Sequence, residues 1–233
     1  MKLNGISLNI QPDETPLCEE LDVHEVGDQH LMTGIETPMR EGAFDLSDDE
    51  KKQEIEKHFR SIMDILGLDL TDDSLKGTPA RVAKMYVEEI FSGLNPKNAP
   101  KVALFENKYK YNEMLVEKNI TLYSNCEHHF VPIIGKGHIA YISNGKVIGL
   151  SKLNRIAQYF AKRPQVQERL TVQIGKYLQE ILDTESVAVI IDAEHLCVSS
   201  RGIQDVNSST VTAFYGGEFE KKSVKNELFN YLK

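Results

Sequence analysis

Two pairs of residues in this chain have the spacing of metal ligands. Cys126 and His129 stand three apart in "SNCEHHFVP", residues 124–132, and His195 and Cys197 stand two apart in "EHLCVSS", residues 194–200. A Cys-x-x-His spacing lets two donors converge from one tight turn, and residues two apart on a strand share a face. The chain has three cysteines, Cys18, Cys126 and Cys197, and two of them lie within three residues of a histidine. So sparse and odd a set makes a poor disulfide framework, and metal binding suits it better. Taken singly, a buried cysteine is most often a small core residue and a histidine a satisfied polar group. Together the two pairs point to zinc. Four protein ligands would close such a site, whereas two cysteines and one histidine would leave a position for water. Neighbouring His128 and His129 point in different directions and do not readily bind one ion together. The ligands assigned are therefore Cys126, His129 and Cys197, with His128 and His195 left as proton carriers. Glu127 is expected either to face away or to support the site from behind its ligands.

A second group of residues suits an anion. "IGLSKLNR", residues 148–155, puts Ser151, Lys152 and Arg155 at a strand-to-helix junction, where free N–H groups and the helix dipole favour negative charge. Arg201, in "SSRG", follows shortly after Cys197. Arg81 and Lys84 share a helix face, but from their own segment they read as two solvated charges. Gln167 and Glu168 lie in "RPQVQERL". A carboxylate there can accept from adjacent N–H donors, although an exposed helical Glu paired with a basic neighbour is the commoner use.

The elements that must position these residues are readable from pattern. Residues 1–46 mix polar residues, Gly and Pro with little periodicity and read as an arm or a marginal helix. "SDDE" is a capping box, Ser47 with Glu50, opening a helix with Ile55, Phe59, Ile62 and Leu66 at helical spacing before Gly67. In "GTPARVAKMYVEEIFSG" Thr78 is the expected N-cap, Pro79 the first helical residue and Gly93 the turn, with Val82, Met85, Tyr86 and Ile90 as the apolar face. Residues 47–99 thus form an N-terminal helical region. From about residue 101, "VALFEN", "EMLVEKNITLYSN", "FVPIIGKGHIAYIS" and "KVIGL" read as strands. Two helices follow: "SKLNRIAQYFAKR", capped by Ser151 with Leu153, Ile156 and Phe160 inward, and "QVQERLTVQIGKYLQEIL" after Pro164. Two more strands, "ESVAVIIDAEHLCVSS" and "NSSTVTAFYGG", close the chain. The order predicts an α+β fold with an antiparallel sheet over residues 100–233.

Bulk composition excludes several classes. With 41% hydrophobic residues among 233, the chain can bury a core, and no apolar run is long enough to span a membrane. The N-terminus lacks the apolar centre of a signal peptide, so a cytoplasmic location is expected. The net charge of -8 is uneven: residues 1–73 carry 19 acidic and 6 basic side chains, and residues 74–233 carry 16 and 21. Without a long basic run, nucleic acid is not an expected partner, but the rear of the chain can hold a small polyanion in a local pocket.

"SNCEHHFVP", "KVIGLSKLNRIAQYFAKRPQVQERLTVQI", "HLCVSSRGIQDVNSSTVT" and "GTPARVAKMYVEEIFSG" together resemble GTP cyclohydrolase I of the bacterial type, in order from about residue 62 to 219. The resemblance implies a tunnelling fold, with paired helices on one face of an antiparallel sheet. It implies a toroidal homodecamer with active sites between subunits. It also implies the reaction: GTP and water give 7,8-dihydroneopterin triphosphate and formate, the first step towards folate and other pterins. By position, Cys126, His129 and Cys197 match the family's zinc ligands, and His128 and His195 its proton-transfer histidines. Arg81, Lys84, Ser151, Lys152, Arg155 and Arg201 match positions around the triphosphate and ribose, so the resemblance reverses the reading of Arg81 and Lys84. Gln167, Glu168 and Leu150 match the guanine-recognition set, with Glu168 as the anchor for the purine's N–H donors. The chemistry is coherent: zinc makes water nucleophilic near pH 7, and two imidazoles supply the repeated proton transfers of ring opening and reclosure.

Overall fold

Ser47 opens the first helix as its neighbours require. The computed structural model describes residues 35–233, so most of the expected arm, with Cys18, lies outside the described residues. The Ser47 hydroxyl accepts from the Glu50 N–H and the Glu50 carboxylate accepts from the Ser47 N–H, closing the capping box of α1, Asp48–Ile65. Helix α2, Thr78–Lys84, starts one residue earlier than expected. Gly77 is its N-cap, and the Thr78 hydroxyl instead accepts from Arg81 Nη2 at 3.0 Å. The helix then widens into a π-helix over Met85–Ile90. Gly93 lies in the expected turn, Ser92–Leu94, under a second constraint. Its N–H donates to the Lys162 carbonyl at 2.8 Å and its carbonyl accepts from Arg163 Nε at 2.9 Å. A Cβ there would run into the backbone oxygens of Tyr159 and Lys162.

The short strands β1, Leu104–Glu106, and β4, Lys146–Ile148, pair with each other. The main sheet is built from β2 (Met114–Cys126), β3 (Pro132–Ile142), β5 (Pro164–Gln165), β6 (Val187–His195) and β7 (Thr210–Tyr215), in the order β5-β2-β3-β6-β7. Its pairings are antiparallel except that β5 runs parallel to the end of β2. Pro164 suits this edge position because it has no N–H to pair. The second of the paired helices therefore starts later than expected, as α4, Gln167–Leu182. Its partner α3, Leu150–Ala161, is preceded by Gly149 as N-cap, so Ser151 sits inside the first turn rather than capping it.

Helices α3 and α4 cover one face of the sheet. Leu153, Ile156 and Phe160, with Leu170, Ile174 and Leu178, are buried against Ile120, Leu122, Ile139, Tyr141, Val189 and Ile191. This is the α+β, paired-helix arrangement of the tunnelling fold. The other face is covered at one end by a helix the sequence pattern was not credited with, α6, Lys222–Leu232. Val224, Leu228 and Leu232 recur every four residues and pack with Phe219 on Met114, Ala140, Ala188 and Ile190. Both faces of β6 are thus covered where it reads "VAVII", which explains a continuous apolar run instead of an alternating one.

"EHLCVSS" does not continue as a strand. Pairing with β7 stops at Ala193 and pairing with β3 at His195. Without a partner, the backbone satisfies itself by curling into one helical turn, α5, Leu196–Ser199, where the Ser200 N–H donates to the Leu196 carbonyl at 2.9 Å. His195 and Cys197 are therefore not related by strand alternation.

Gly93→Ala is expected to destabilise the chain by about 1–3 kcal/mol, the usual cost of forcing extra volume into a packed contact. Thermal unfolding at fixed protein concentration measures it, and an unchanged midpoint would show that the Tyr159–Lys162 turn yields freely.

Candidate active site

Four strand ends meet at one end of the main sheet. Cys126 closes β2 opposite Gln165 of β5, and His195 closes β6 opposite Ile133 at the start of β3. Between β2 and β3 the chain makes a tight turn. The Phe130 N–H donates to the Cys126 carbonyl and the Cys126 N–H to the Val131 carbonyl, both at 2.8 Å. The turn brings a donor atom of His129 together with the sulfurs of Cys126 and Cys197, all within 4.8 Å of one another. A tetrahedral zinc ion, with bonds of about 2.0–2.3 Å, holds its donors roughly 4 Å apart, so a small closing movement would suffice. The charge state agrees. Burial first, then the adjacent Cys126, push the Cys197 thiol above its ordinary pKa. A thiol so placed sheds its proton most readily to a cation that binds its sulfur. Cys126, His129 and Cys197 thus form a possible metal site.

The histidines beside it are held differently. His195 Nε2 lies 2.7 Å from Gln167 Oε1. The Gln167 amide nitrogen donates to the carbonyls of Ile191 and Thr210, at 3.0 and 2.8 Å, and to the Thr212 hydroxyl at 3.1 Å. Those acceptors fix the amide, so its oxygen faces the imidazole and Nε2 carries the proton. Burial lowers the His195 pKa, with Glu168 opposing it. The ring is therefore neutral at pH 7 and presents Nδ1 as its acceptor. His128 has Nδ1 3.5 Å from Cys126 Sγ and Nε2 3.9 Å from Glu127 Oε1. Arg201, which can only donate, places Nη1 2.7 Å from His129 Nε2.

Glu127 neither faces away nor approaches as a ligand. It forms a two-pronged ion pair with Arg169, whose side chain is only 4% exposed, and one prong measures 3.2 Å. Its N–H also donates to the Gln165 carbonyl at 3.0 Å. Removing one partner of so buried a pair costs about 3–5 kcal/mol, because water does not readily replace the lost charge-assisted contact. The turn is thereby tied to the first turn of α4, which carries buried Gln167 and exposed Glu168. The sequence reading missed both this pair and the Gln167–His195 contact. "QVQERL" contained two of the four residues, Gln167 and Arg169, but the two pairs join positions 42 and 28 residues apart.

The anion-suited residues divide. Arg201 is at the cluster. The segment carrying Arg81 and Lys84 lies beside the turn, with the Tyr86 and Phe130 ring centroids 6.4 Å apart. Arg81 itself folds back to donate to the Ser74 carbonyl at 3.1 Å. Leu150, Ser151, Lys152 and Arg155 are elsewhere. Helix α3 runs alongside β2 in the same direction, with Asn154 donating to Glu117 at 3.0 Å and Gln158 to the Thr121 carbonyl. Glu117 and Cys126 are both on β2, and at about 3.3 Å per residue they are on the order of 25–30 Å apart. Within one chain the start of α3 does not reach the cysteine and histidine cluster.

A family model described as GTP cyclohydrolase I matches residues 55–233. The GTP cyclohydrolase 1 of Flavobacterium johnsoniae is 61% identical over 209 residues, covering 90% of this chain and 94% of that protein. Proteins of the same name are 57% identical over 187 residues in Vibrio parahaemolyticus, covering 80% of this chain and 85% of that one, and 53% over 201 residues in Photobacterium profundum, covering 86% and 92%. The cysteine and histidine turn, its partner strand end and the paired helices all fall within the residues that the family model matches. The chain belongs to the GTP cyclohydrolase I family.

Proposed function

We propose that this chain hydrolyses and rearranges GTP to 7,8-dihydroneopterin triphosphate and formate, using zinc held by Cys126, His129 and Cys197. The observation that carries the reading is the convergence of those three donors, with His128 and His195 alongside, in a member of this family. A zinc ion bound there supplies the Lewis acidity that makes water nucleophilic near neutral pH. His195, neutral and fixed by Gln167, accepts protons at Nδ1, and His128, beside the Cys126 sulfur, exchanges them as the second imidazole. Two imidazoles of this kind serve ring opening, formate release and reclosure without a further proton-carrying cofactor. Glu168 holds the guanine, with Leu150 contributed like the rest of the start of α3 from a second copy, and the role of Gln167 in that set is to orient His195. Arg201, Arg81 and Lys84 face the triphosphate and ribose from the chain that supplies the metal site.

Ser151, Lys152 and Arg155 contribute from a second copy. Their distance from the cluster within one chain supports this, as does the family's toroidal homodecamer with sites between subunits. Binding energy from the unreacting triphosphate then positions the purine. The alternative of a noncatalytic, closed zinc site would recruit His195 as a fourth ligand. The donors that converge within 4.8 Å among the described residues are those of Cys126, His129 and Cys197, without His195, which counts against it. No helix among the described residues is long and apolar enough to cross a membrane, in keeping with a cytoplasmic enzyme.

Incubated with GTP, the zinc-loaded protein is expected to release formate and dihydroneopterin triphosphate in equal amounts, and a chelator should abolish both. Formate without the pterin would sink the reading. His128→Ala should retain zinc and lose turnover, whereas Cys126→Ala should lose zinc first; equal loss of metal in both would show the histidines wrongly divided. Cys126→Ala and Lys152→Ala should each be inactive alone. Co-assembled in equal amounts they should regain roughly a quarter of wild-type activity, the chance that a shared site receives two intact halves. No recovery would place both halves in one chain.

A further inference from the structure

Phe130 follows the ligand His129 directly, yet it has the wrong backbone for its side chain. Its φ is 53°, in the left-handed region that favours glycine and penalises a large residue. The ring is also 47% exposed, so ordinary core burial does not explain its presence. What holds it is a pair of rings from a distant segment. The Tyr86 and Phe91 centroids lie 6.4 and 5.0 Å from that of Phe130, and 5.4 Å from each other.

The pair exists because of the π-helix. In an α-helix, residues five apart point about 140° away from each other at 3.6 residues per turn. Here the Phe91 N–H donates to the Tyr86 carbonyl at 3.1 Å, five residues back. This wider turn brings both rings to one side. Isolated π turns of this kind cluster at functional sites. The far end of the segment is pinned by Gly93 against the end of α3, and the near end carries Arg81 and Lys84. Phe130 in turn closes the metal turn through its N–H bond to the Cys126 carbonyl.

We propose that Tyr86 and Phe91 clamp Phe130, so that the π-helical segment preorganises Cys126 and His129 for the metal. Phe130, Tyr86 and Phe91 are positioning residues, acting through the turn that carries Cys126 and His129. The clamp also joins the helix bearing Arg81 and Lys84 to the metal turn, so that the two cannot shift independently. The inference rests on the zinc reading, and its test separates the two.

Zinc affinity is measured on the full-length enzyme, without GTP, by competition with a chromophoric chelator, together with unfolding midpoint and turnover. Phe130→Gly relieves the backbone and removes the ring, so a purely local role predicts equal or tighter zinc binding. The clamp predicts binding weaker by roughly 10-fold or more, the usual penalty for losing a group that orients a ligand. Phe91→Ala should weaken zinc similarly although it leaves the metal turn's sequence intact, and Tyr86→Leu gives the same readout if Phe91→Ala fails to fold. Tyr86→Phe should bind within twofold of wild type, because the ring acts and the hydroxyl does not. Phe91→Ala combined with Phe130→Gly should be no worse than Phe130→Gly alone. Wild-type zinc affinity in Phe130→Gly, or additive losses in the double variant, would overturn the clamp with the zinc site intact. A wild-type enzyme that takes up no zinc would overturn the metal reading and the clamp with it.

Discussion

Arg169 places a guanidinium where water scarcely reaches, and Glu127 is what makes that position tenable. The pair fastens the tight turn after β2 to the first turn of α4, two elements adjacent in space but distant along the chain. Everything chemical at this end of the sheet hangs on that fastening. Cys126 and His129 lie on one side of Glu127, and Gln167 and Glu168 lie just before Arg169. A buried ion pair is seldom a net source of stability, since desolvation offsets most of the attraction. Its value here is registry: with both prongs made, the turn has one seat on the helix.

The same logic of fixed orientation recurs at His195. An imidazole can carry its proton on either nitrogen, and a buried neutral one has no charge to settle the matter. Gln167 settles it because its amide nitrogen is already surrounded by acceptors, leaving only the oxygen to face the ring. One side chain, itself buried, thus determines which nitrogen of another is basic. At His129 the neighbouring guanidinium of Arg201 plays a related part, meeting the ring as a donor.

Much of this was legible in the sequence, and what was not shares a cause. The convergence of Cys126, His129 and Cys197 could be anticipated because two of three cysteines lie beside histidines and because adjacent histidines diverge. The capping box at Ser47, the strand runs and the two covering helices are local signals that the structure keeps. Thr78 and Ser151 looked like caps, but the caps lie one and two residues earlier, at Gly77 and Gly149, at boundaries that local chemistry fixes only loosely. "HLCVSS" has the composition of a strand and becomes a helical turn, because pairing depends on where β3 and β7 end. "MYVEEI" has a helical pattern that says nothing of its widened turn. The spacing of Val224, Leu228 and Leu232 is itself a helical signal, carried by the closing stretch of the chain. Glu127 with Arg169, and Gln167 with His195, are contacts that only the tertiary fold creates.

The separation between the start of α3 and the cysteine cluster has a consequence for how such a protein behaves on dilution. If Lys152 and the metal turn serve one substrate, each chain is folded on its own terms yet chemically incomplete. Catalysis then depends on protein concentration as well as on stability. Below the concentration at which subunits part, activity should vanish while the sheet, its helices and the metal-binding turn persist. Specific activity would then report assembly, and a fold probe such as circular dichroism would not.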